Sequence, residues 1–186
     1  DHPQSGLQGL LDMLKGDGMM PQALYDPDIS WMVNDVSSLL KEKKISKKYV
    51  VLIPGSSRKH TEKRWPFYKL LAKEFIDRGF DVVNILGPDE LDLQKHLLGH
   101  KLELLDWGDL AGVINSSLFV IGNDSGPSHI ASCLKRPGIA LFGPTTSGTK
   151  SELARPPFRI IETEALEKFT TDDLIISIKK FYSFLT

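Results

Sequence analysis

From Tyr49 onward, short uninterrupted apolar runs alternate with stretches of helical periodicity. Six runs read as strands: Tyr49 to Ile53, Asp81 to Leu86, Leu102 to Leu105, Leu118 to Ile121, Gly138 to Phe142 and Arg159 to Ile161. Most are continuously apolar instead of alternating, which predicts strands covered on both faces, as in a parallel sheet. The spacers predict helices over Pro66 to Arg78, Glu90 to Leu98, Asp109 to Ser116 and Pro127 to Lys135. Pro66 and Pro127 suit first-turn positions, and Gly79 suits a C-terminal stop. A last helix over Asp172 to Leu185 follows Thr170 and Thr171 and begins with two aspartates, which cap it and complement its dipole. Strand and helix alternating in this way imply right-handed crossovers and an α/β fold, a Rossmann-like doubly wound parallel sheet of about six strands.

Before Tyr49 the pattern differs. A short amphipathic run (Leu7, Leu10, Leu11, Leu14) stops at Gly16, and the following YDPDIS reads as a turn. Trp31 to Lys44 places Trp31, Met32, Val36, Leu39 and Leu40 at helical spacing, with a basic end and Ser30 as N-cap. Residues 1–45 are therefore expected to form a linker and helix, and residues 46–186 the globular domain.

Composition narrows the function classes. The 186 residues carry 23 Lys+Arg and 24 Asp+Glu, a net charge of -1. A duplex binder needs a basic excess to displace counterions, so nucleic acid is not the expected partner. The single cysteine, Cys133, excludes an internal disulfide framework and a multi-cysteine zinc site, and points to a reducing, cytoplasmic setting. No apolar run approaches the roughly 20 residues of a membrane span, and the first residues lack the basic-then-apolar order of a secretory signal.

In an open α/β sheet ligands bind beyond the carboxyl ends of the strands, so the loops there carry the candidate chemistry. After the first strand, PGSSRKHTEKRWP offers a glycine, hydroxyls and the cations Arg58, Lys59, Lys63 and Arg64. It reads either as a solvated basic loop or as an anion site built from Ser56, Ser57 and Lys63. After the fourth strand, GNDSGPSH opens directly onto a helix. Free amides at that N-terminus and the close approach allowed by Gly126 suit a pyrophosphate; the alternative is that Asp124 or Ser125 merely caps the helix. His129 lies one turn in, as a packed or a site residue. A third small-residue loop, GPTTSGT, follows the fifth strand.

Absent patterns also inform. There is no GxGxxG after the first strand and no GxxxxGK[ST], so neither the usual dinucleotide fingerprint nor a P-loop is present. No HExxH or histidine–carboxylate cluster suggests a metal, and none is expected. Asp26 and Asp28 read as turn chemistry, and His2, His60, His96 and His100 as surface residues.

PGSS and KRWP after the first strand, LGPDE after the second, and GNDSGPSHIASCLKRPGIALFGPT across the fourth and fifth resemble the C-terminal domain of the family 9 glycosyltransferases, the ADP-heptose:lipopolysaccharide heptosyltransferases. The likeness runs in order from Tyr49 to Leu185. It implies the C-terminal half of a GT-B fold, with residues 1–45 leading out of a missing N-terminal domain that would carry the acceptor site and catalytic base. The implied activity is inverting transfer of heptose from ADP-heptose to a lipopolysaccharide core hydroxyl. The implied setting is the cytoplasm or the periphery of the inner membrane, for a chain that is inactive alone and monomeric. Lys63 would stabilise the leaving diphosphate. Ser56, Ser57, Asp124, Ser125, Gly126 and His129 would bind the donor. Asp89 or Glu90 would contact the ribose, and Gly108 and Trp107 lie where adenine contacts are expected, although Trp107 suits the core equally. A UDP-sugar transferase or epimerase, or a non-catalytic nucleotide-binding module, shares this architecture.

Overall fold

The structure, a computed structural model, describes residues 6–19 and 26–182. Its strands are β1 (Tyr49–Ile53), β2 (Asp81–Leu86), β3 (His100–Glu103), β4 (Phe119–Asn123), β5 (Gly138–Phe142) and β6 (Phe158–Glu162). They form one sheet in the order β3-β2-β1-β4-β5-β6, with every neighbouring pair parallel. The helices are α1 (Gly6–Gly16), α2 (Ser37–Glu42), α3 (Tyr68–Asp77), α4 (Trp107–Ser116), α5 (Gly126–Cys133), α6 (Gly148–Ser151) and α7 (Thr171–Phe181).

Successive strand residues point to opposite faces, and both faces are covered. On one, Val50, Leu52, Phe119, Ile121 and Leu141 pack against Leu71 and Phe75 of α3 and Leu174 and Ile178 of α7. On the other, Val51, Ile53, Val120, Ala140 and Phe142 pack against Val113 and Ile114 of α4 and Ile130 and Ala131 of α5. That double burial is why β1, β4 and β5 read as unbroken apolar runs: each is buried along its whole length. Thr170 and Asp173 start α7 as a reciprocal capping box, Thr170 Oγ1 accepting from the Asp173 N–H and the Asp173 carboxylate from the Thr170 N–H. Residues 183–185 of the expected last helix lie outside the described residues.

The ends of α3, α4, α5, β4 and β6 shift by one or two residues, and Pro66 lies before α3, whose N-cap is Phe67, instead of in its first turn; three further elements depart from the sequence pattern. The helix expected over Trp31 to Lys44 is split into a 3-10 turn, Ser30–Met32, and the short α2. Ser30 sits inside the turn and does not cap it; its N–H donates to the Asp28 carboxylate, at 2.9 Å. Between the two pieces the Asn34 N–H donates to the Gly108 carbonyl, and the Asp35 carboxylate takes both donors of Ser37, so the backbone has partners other than a helix. This segment is a packed layer: Val36 and Ile45 are buried, with Ile29, Met32 and Leu40 against the same core. The stretch expected as a helix over Glu90 to Leu98 is a 3-10 helix, Pro88–His96. Leu93, Leu97 and Leu98 pack against the first core while Leu91 is exposed, and the Glu90 carboxylate is tied back to the Gly87 N–H, so the stretch follows tight three-residue turns. Finally, β3 lies two residues earlier than Leu102 to Leu105, because Leu104 adopts a left-handed φ of 54° and turns the chain out of the sheet.

Candidate functional site

β1 and β4 are neighbours, yet the chain leaves β1 for α3 on one face and β4 for α5 on the other. Their following loops diverge and open a crevice at the carboxyl edge, the topological switch point where such sheets bind ligands. A hollow of about 290 Å³ lies there. Ser56, Ser57, His60 and Lys63 line it from the β1 loop, Glu90 from the segment after β2, and Asp124, Ser125, Gly126 and Pro127 from the β4 loop.

The two loops are held together by a residue that sequence reading passes over. Asn123, at the end of β4, is fully buried and uses all four of its side-chain hydrogen-bonding positions. Its Nδ2 donates to the carbonyls of Pro54 (2.9 Å) and Gly55 (3.1 Å), while its Oδ1 accepts from the Trp65 N–H (3.1 Å) and the Tyr68 hydroxyl (3.0 Å). Trp65 is itself buried edge-on against Phe67 and Tyr68, and its indole N–H donates to the Phe169 carbonyl at 2.6 Å. Both ends of the β1 loop are thereby fixed to β4, and Lys63, two residues before Trp65, is carried over the crevice. The sequence signal was a polar residue closing an otherwise apolar strand.

Lys63 Nζ lies 2.7 Å from the Asp124 carboxylate, with both side chains mostly buried. His129 Nε2 stands 3.9 Å from the other oxygen of Asp124. Burial pushes the His129 imidazole below its ordinary value of 6.5, outweighing the Asp124 carboxylate, which acts the other way. The folded state therefore favours neutral His129, and the unfolded chain binds the proton more readily. This group contributes stability above pH 6.5 that is lost as pH falls towards and through its lowered folded value. The urea midpoint is expected to fall between pH 7.5 and 5.5, and to fall less in His129→Gln; an identical fall in both proteins would remove His129 from the account.

Other candidate residues fall on both sides of the crevice wall. Ser56 is buried, its hydroxyl donating to the His60 carbonyl (2.7 Å) and accepting from Arg64 Nε (3.1 Å), so its proton organises the loop and does not face a ligand. Ser57 is exposed at the hollow. Ser125 is the residue before α5 and makes no side-chain cap. Gly126 has nothing within 4 Å of where a Cβ would stand, so the fold leaves open space at the helix N-terminus. Glu90 accepts from the Gly87 N–H at 2.8 Å and lies so close across Gly55 that a Cβ there would fall 1.9 Å from its carboxyl carbon. The side chain of Asp89 lies outside the described residues. Glu90 and Pro127 also line a second, mainly apolar hollow of about 230 Å³, with Ile85, Leu105 and Trp107. Trp107 is 65% exposed, so it is not a core residue. Gly108 faces away from that hollow: a Cβ on it would meet the Asn34 amide at 2.6 Å, so its glycine serves packing of the lead-in.

His96 is exposed, His100 stands 3.9 Å from Asp81, and His2 lies outside the described residues. His60 is mostly exposed but lines the crevice, its Nδ1 3.1 Å from Glu62. A larger hollow of about 510 Å³ lies by Asp26, Asp28, Cys133 and Lys135, at the C-terminal ends of α4 and α5. Its carboxylates are already engaged, Asp26 by Lys135 and Asp28 by Ser30. Among the described residues no group of three or more His, Cys, Asp or Glu side chains converges as metal ligands would, and no helix is long and apolar enough to cross a membrane.

Comparison with known proteins agrees with this architecture. The lipopolysaccharide heptosyltransferase 2 of Escherichia coli K12 is 34% identical over 97 residues, covering 45% of this chain and 28% of that protein. The protein of the same name from Salmonella typhimurium is 28% identical over 142 residues, covering 68% of this chain and 40% of its own length. The chain therefore spans less than half the length of these curated relatives. The solved E. coli ADP-heptose LPS heptosyltransferase II superposes with a TM-score of 0.71 at 22% identity, over 87% of this chain and 55% of that one. That likeness shows the fold, the Rossmann-like half of a GT-B glycosyltransferase. The sequence profile of glycosyltransferase family 9 (heptosyltransferase) matches residues 19–156, about three-quarters of the chain, which therefore belongs to that family.

Proposed function

We propose that this chain is the donor-binding part of an inverting glycosyltransferase that takes heptose from ADP-heptose and delivers it to a lipopolysaccharide core hydroxyl. The observation that carries this reading is the pair of adjoining hollows. One, lined by charged and hydroxyl side chains, holds Lys63, Ser57 and the open N-terminus of α5, and a mainly apolar one holds Trp107; Glu90 and Pro127 are common to both. A nucleoside diphosphate has the matching division: the diphosphate over Lys63 and the α5 amides, the base against Trp107, and the ribose beside Glu90. The names of the relatives and of the solved neighbour support heptose and adenine over other sugars and bases.

The chemical demand is departure of the nucleotide, on whose diphosphate negative charge grows in the transition state. A cation and oriented amides already in place stabilise that charge more than they stabilise the bound donor, which is what accelerates the step. Asp124, shared between Lys63 and His129, holds the lysine in position and faces the sugar end of the site. The base that deprotonates the acceptor belongs to another part of the enzyme, and with it the contact with acceptor or membrane.

Calorimetric titration with ADP, UDP and GDP, with and without magnesium, tests the reading. ADP is expected to bind selectively and without dependence on magnesium; preference for UDP would move the chain to another sugar-nucleotide chemistry. Gly126→Ala supplies the control. A methyl there meets no protein atom, and replacing glycine reduces unfolded-chain entropy, so stability is expected to hold or rise by about 0.5 kcal/mol. If the diphosphate lies against that backbone, ADP affinity drops about tenfold or more. Unchanged ADP affinity in Gly126→Ala would place the diphosphate elsewhere.

A further inference from the structure

Glu90 is the charged side chain common to the two hollows, so its half-buried carboxylate stands at their junction. Two glycines flank it, Gly55 in the loop after β1 and Gly87 just after β2. At Gly87 a Cβ would stand 3.5 Å from a Glu90 oxygen, an ordinary contact; this residue serves through its N–H, which donates to that oxygen at 2.8 Å. Gly55 is different. A Cβ there would fall 1.9 to 2.2 Å from all three atoms of the carboxylate, which therefore occupies the space that any other side chain would fill. Gly55 has no left-handed φ, so its backbone does not call for glycine; the room for Glu90 does. Nor is that backbone free to withdraw, since the Gly55 and Pro54 carbonyls both accept from the buried Asn123 amide, at 3.1 and 2.9 Å.

We propose that Gly55 is a positioning residue for the Glu90 carboxylate, and that together they make the site selective for nucleotides whose ribose keeps both hydroxyls. The inference rests on the donor reading above, in which the ribose lies beside Glu90. A carboxylate has about four lone-pair sites on its two oxygens, so one that accepts from the Gly87 N–H has capacity for the two hydroxyls of a vicinal diol. Hydrogen bonds from hydroxyls to a charged acceptor are among the stronger ones, but they form only at about 2.5 to 3.0 Å. Displacing the acceptor by the width of a methyl group breaks them. What a methyl on Gly55 would meet is the far end of a flexible side chain, which swings aside at little cost to folding. Diol recognition, in contrast, depends on where that end rests.

The test is calorimetric titration with ADP and with its dideoxy analogue, which lacks both ribose hydroxyls. The parent chain is expected to prefer ADP by about tenfold or more. In Gly55→Ala, ADP is expected to bind about tenfold more weakly while the dideoxy analogue stays within about twofold of its parent affinity, so the preference collapses. Glu90→Ala is expected to lose the same preference, and adding Gly55→Ala to it to cost no further affinity, because the methyl then has no carboxylate to displace. The proposal is overturned if Gly55→Ala keeps the preference, if it weakens both nucleotides alike, as a glycine needed only for packing would, or if the double variant loses more than Glu90→Ala. Should Gly55→Ala fail to fold, the double variant reads the same contact: its folding supports the proposal, and its failure to fold overturns it. A parent chain that binds both nucleotides equally removes the ribose from Glu90, and one that binds neither removes the donor reading; the inference falls with either. Its failure alone leaves the ADP binding and ribose preference of the parent chain intact.

Discussion

Lys63→Ala is expected to weaken ADP binding by about 10- to 100-fold, the equivalent of about 1.4 to 2.7 kcal/mol for one charge-assisted hydrogen bond to phosphate. The size follows from where the lysine stands. Its ammonium is mostly buried, 2.7 Å from Asp124, and held over the crevice by the anchoring of Trp65 two residues on. A diphosphate entering the site meets a cation that needs no ordering, so little of the interaction is offset by side-chain entropy. The same change leaves the Asp124 carboxylate without its lysine, and stability is expected to fall by about 1 kcal/mol, partly recovered when Asp124→Asn is added. Calorimetry with ADP and urea unfolding of the two single variants and the double variant separate the two effects. If Lys63→Ala binds ADP as the parent chain does, the lysine serves only its ion pair and the phosphate role is lost.

What the sequence shows and what it hides divide along physical lines. β1 and β5 are legible to the residue, since burial on both faces leaves no polar position to blur their ends. At the sheet edge β3 alternates, and its end is set by the left-handed backbone of Leu104, which hydrophobicity does not report. The loops bearing Lys63, Asp124 and Gly126 can be found because strand order puts chemistry at the carboxyl edge. Which way a hydroxyl points cannot be found so: Ser56 and Ser57 are adjacent and chemically alike, yet one is tied inward to Arg64 and the other is open. Gly108 illustrates the converse. Its place after β3 suits a ligand, but the reason for glycine is Asn34, far away in the chain. Asn123 is the largest omission, because three of its four partners, at positions 54, 55 and 65, are backbone groups that carry no sequence signature, and Tyr68 alone answers with a side chain.

That buried amide gives the sharpest prediction for stability. Asn123→Asp preserves shape and both acceptor bonds, but turns the group facing the Pro54 and Gly55 carbonyls from a two-proton donor into an oxygen. Two acceptors then face a third with no proton between them, and the new carboxyl sits where the native side chain has no exposure. A buried, uncompensated charge costs about 3 to 5 kcal/mol, and that loss is expected in urea unfolding at pH 7. Burial raises the pKa of such a carboxyl above its unfolded value, so the folded state takes up the proton first and the deficit shrinks as pH falls through that raised value. The protonated form also regains one O–H donor for one of the two carbonyls. Asn123→Ala, with nothing to titrate at that position, is expected to show no such recovery relative to the parent chain. Comparing the three proteins at pH 7 and pH 5 decides the matter: an Asn123→Asp protein as stable as the parent at pH 7 would mean that the amide does not bind the two loops together. The loops would then have to be held over the crevice by the packing of Trp65 and Tyr68 alone.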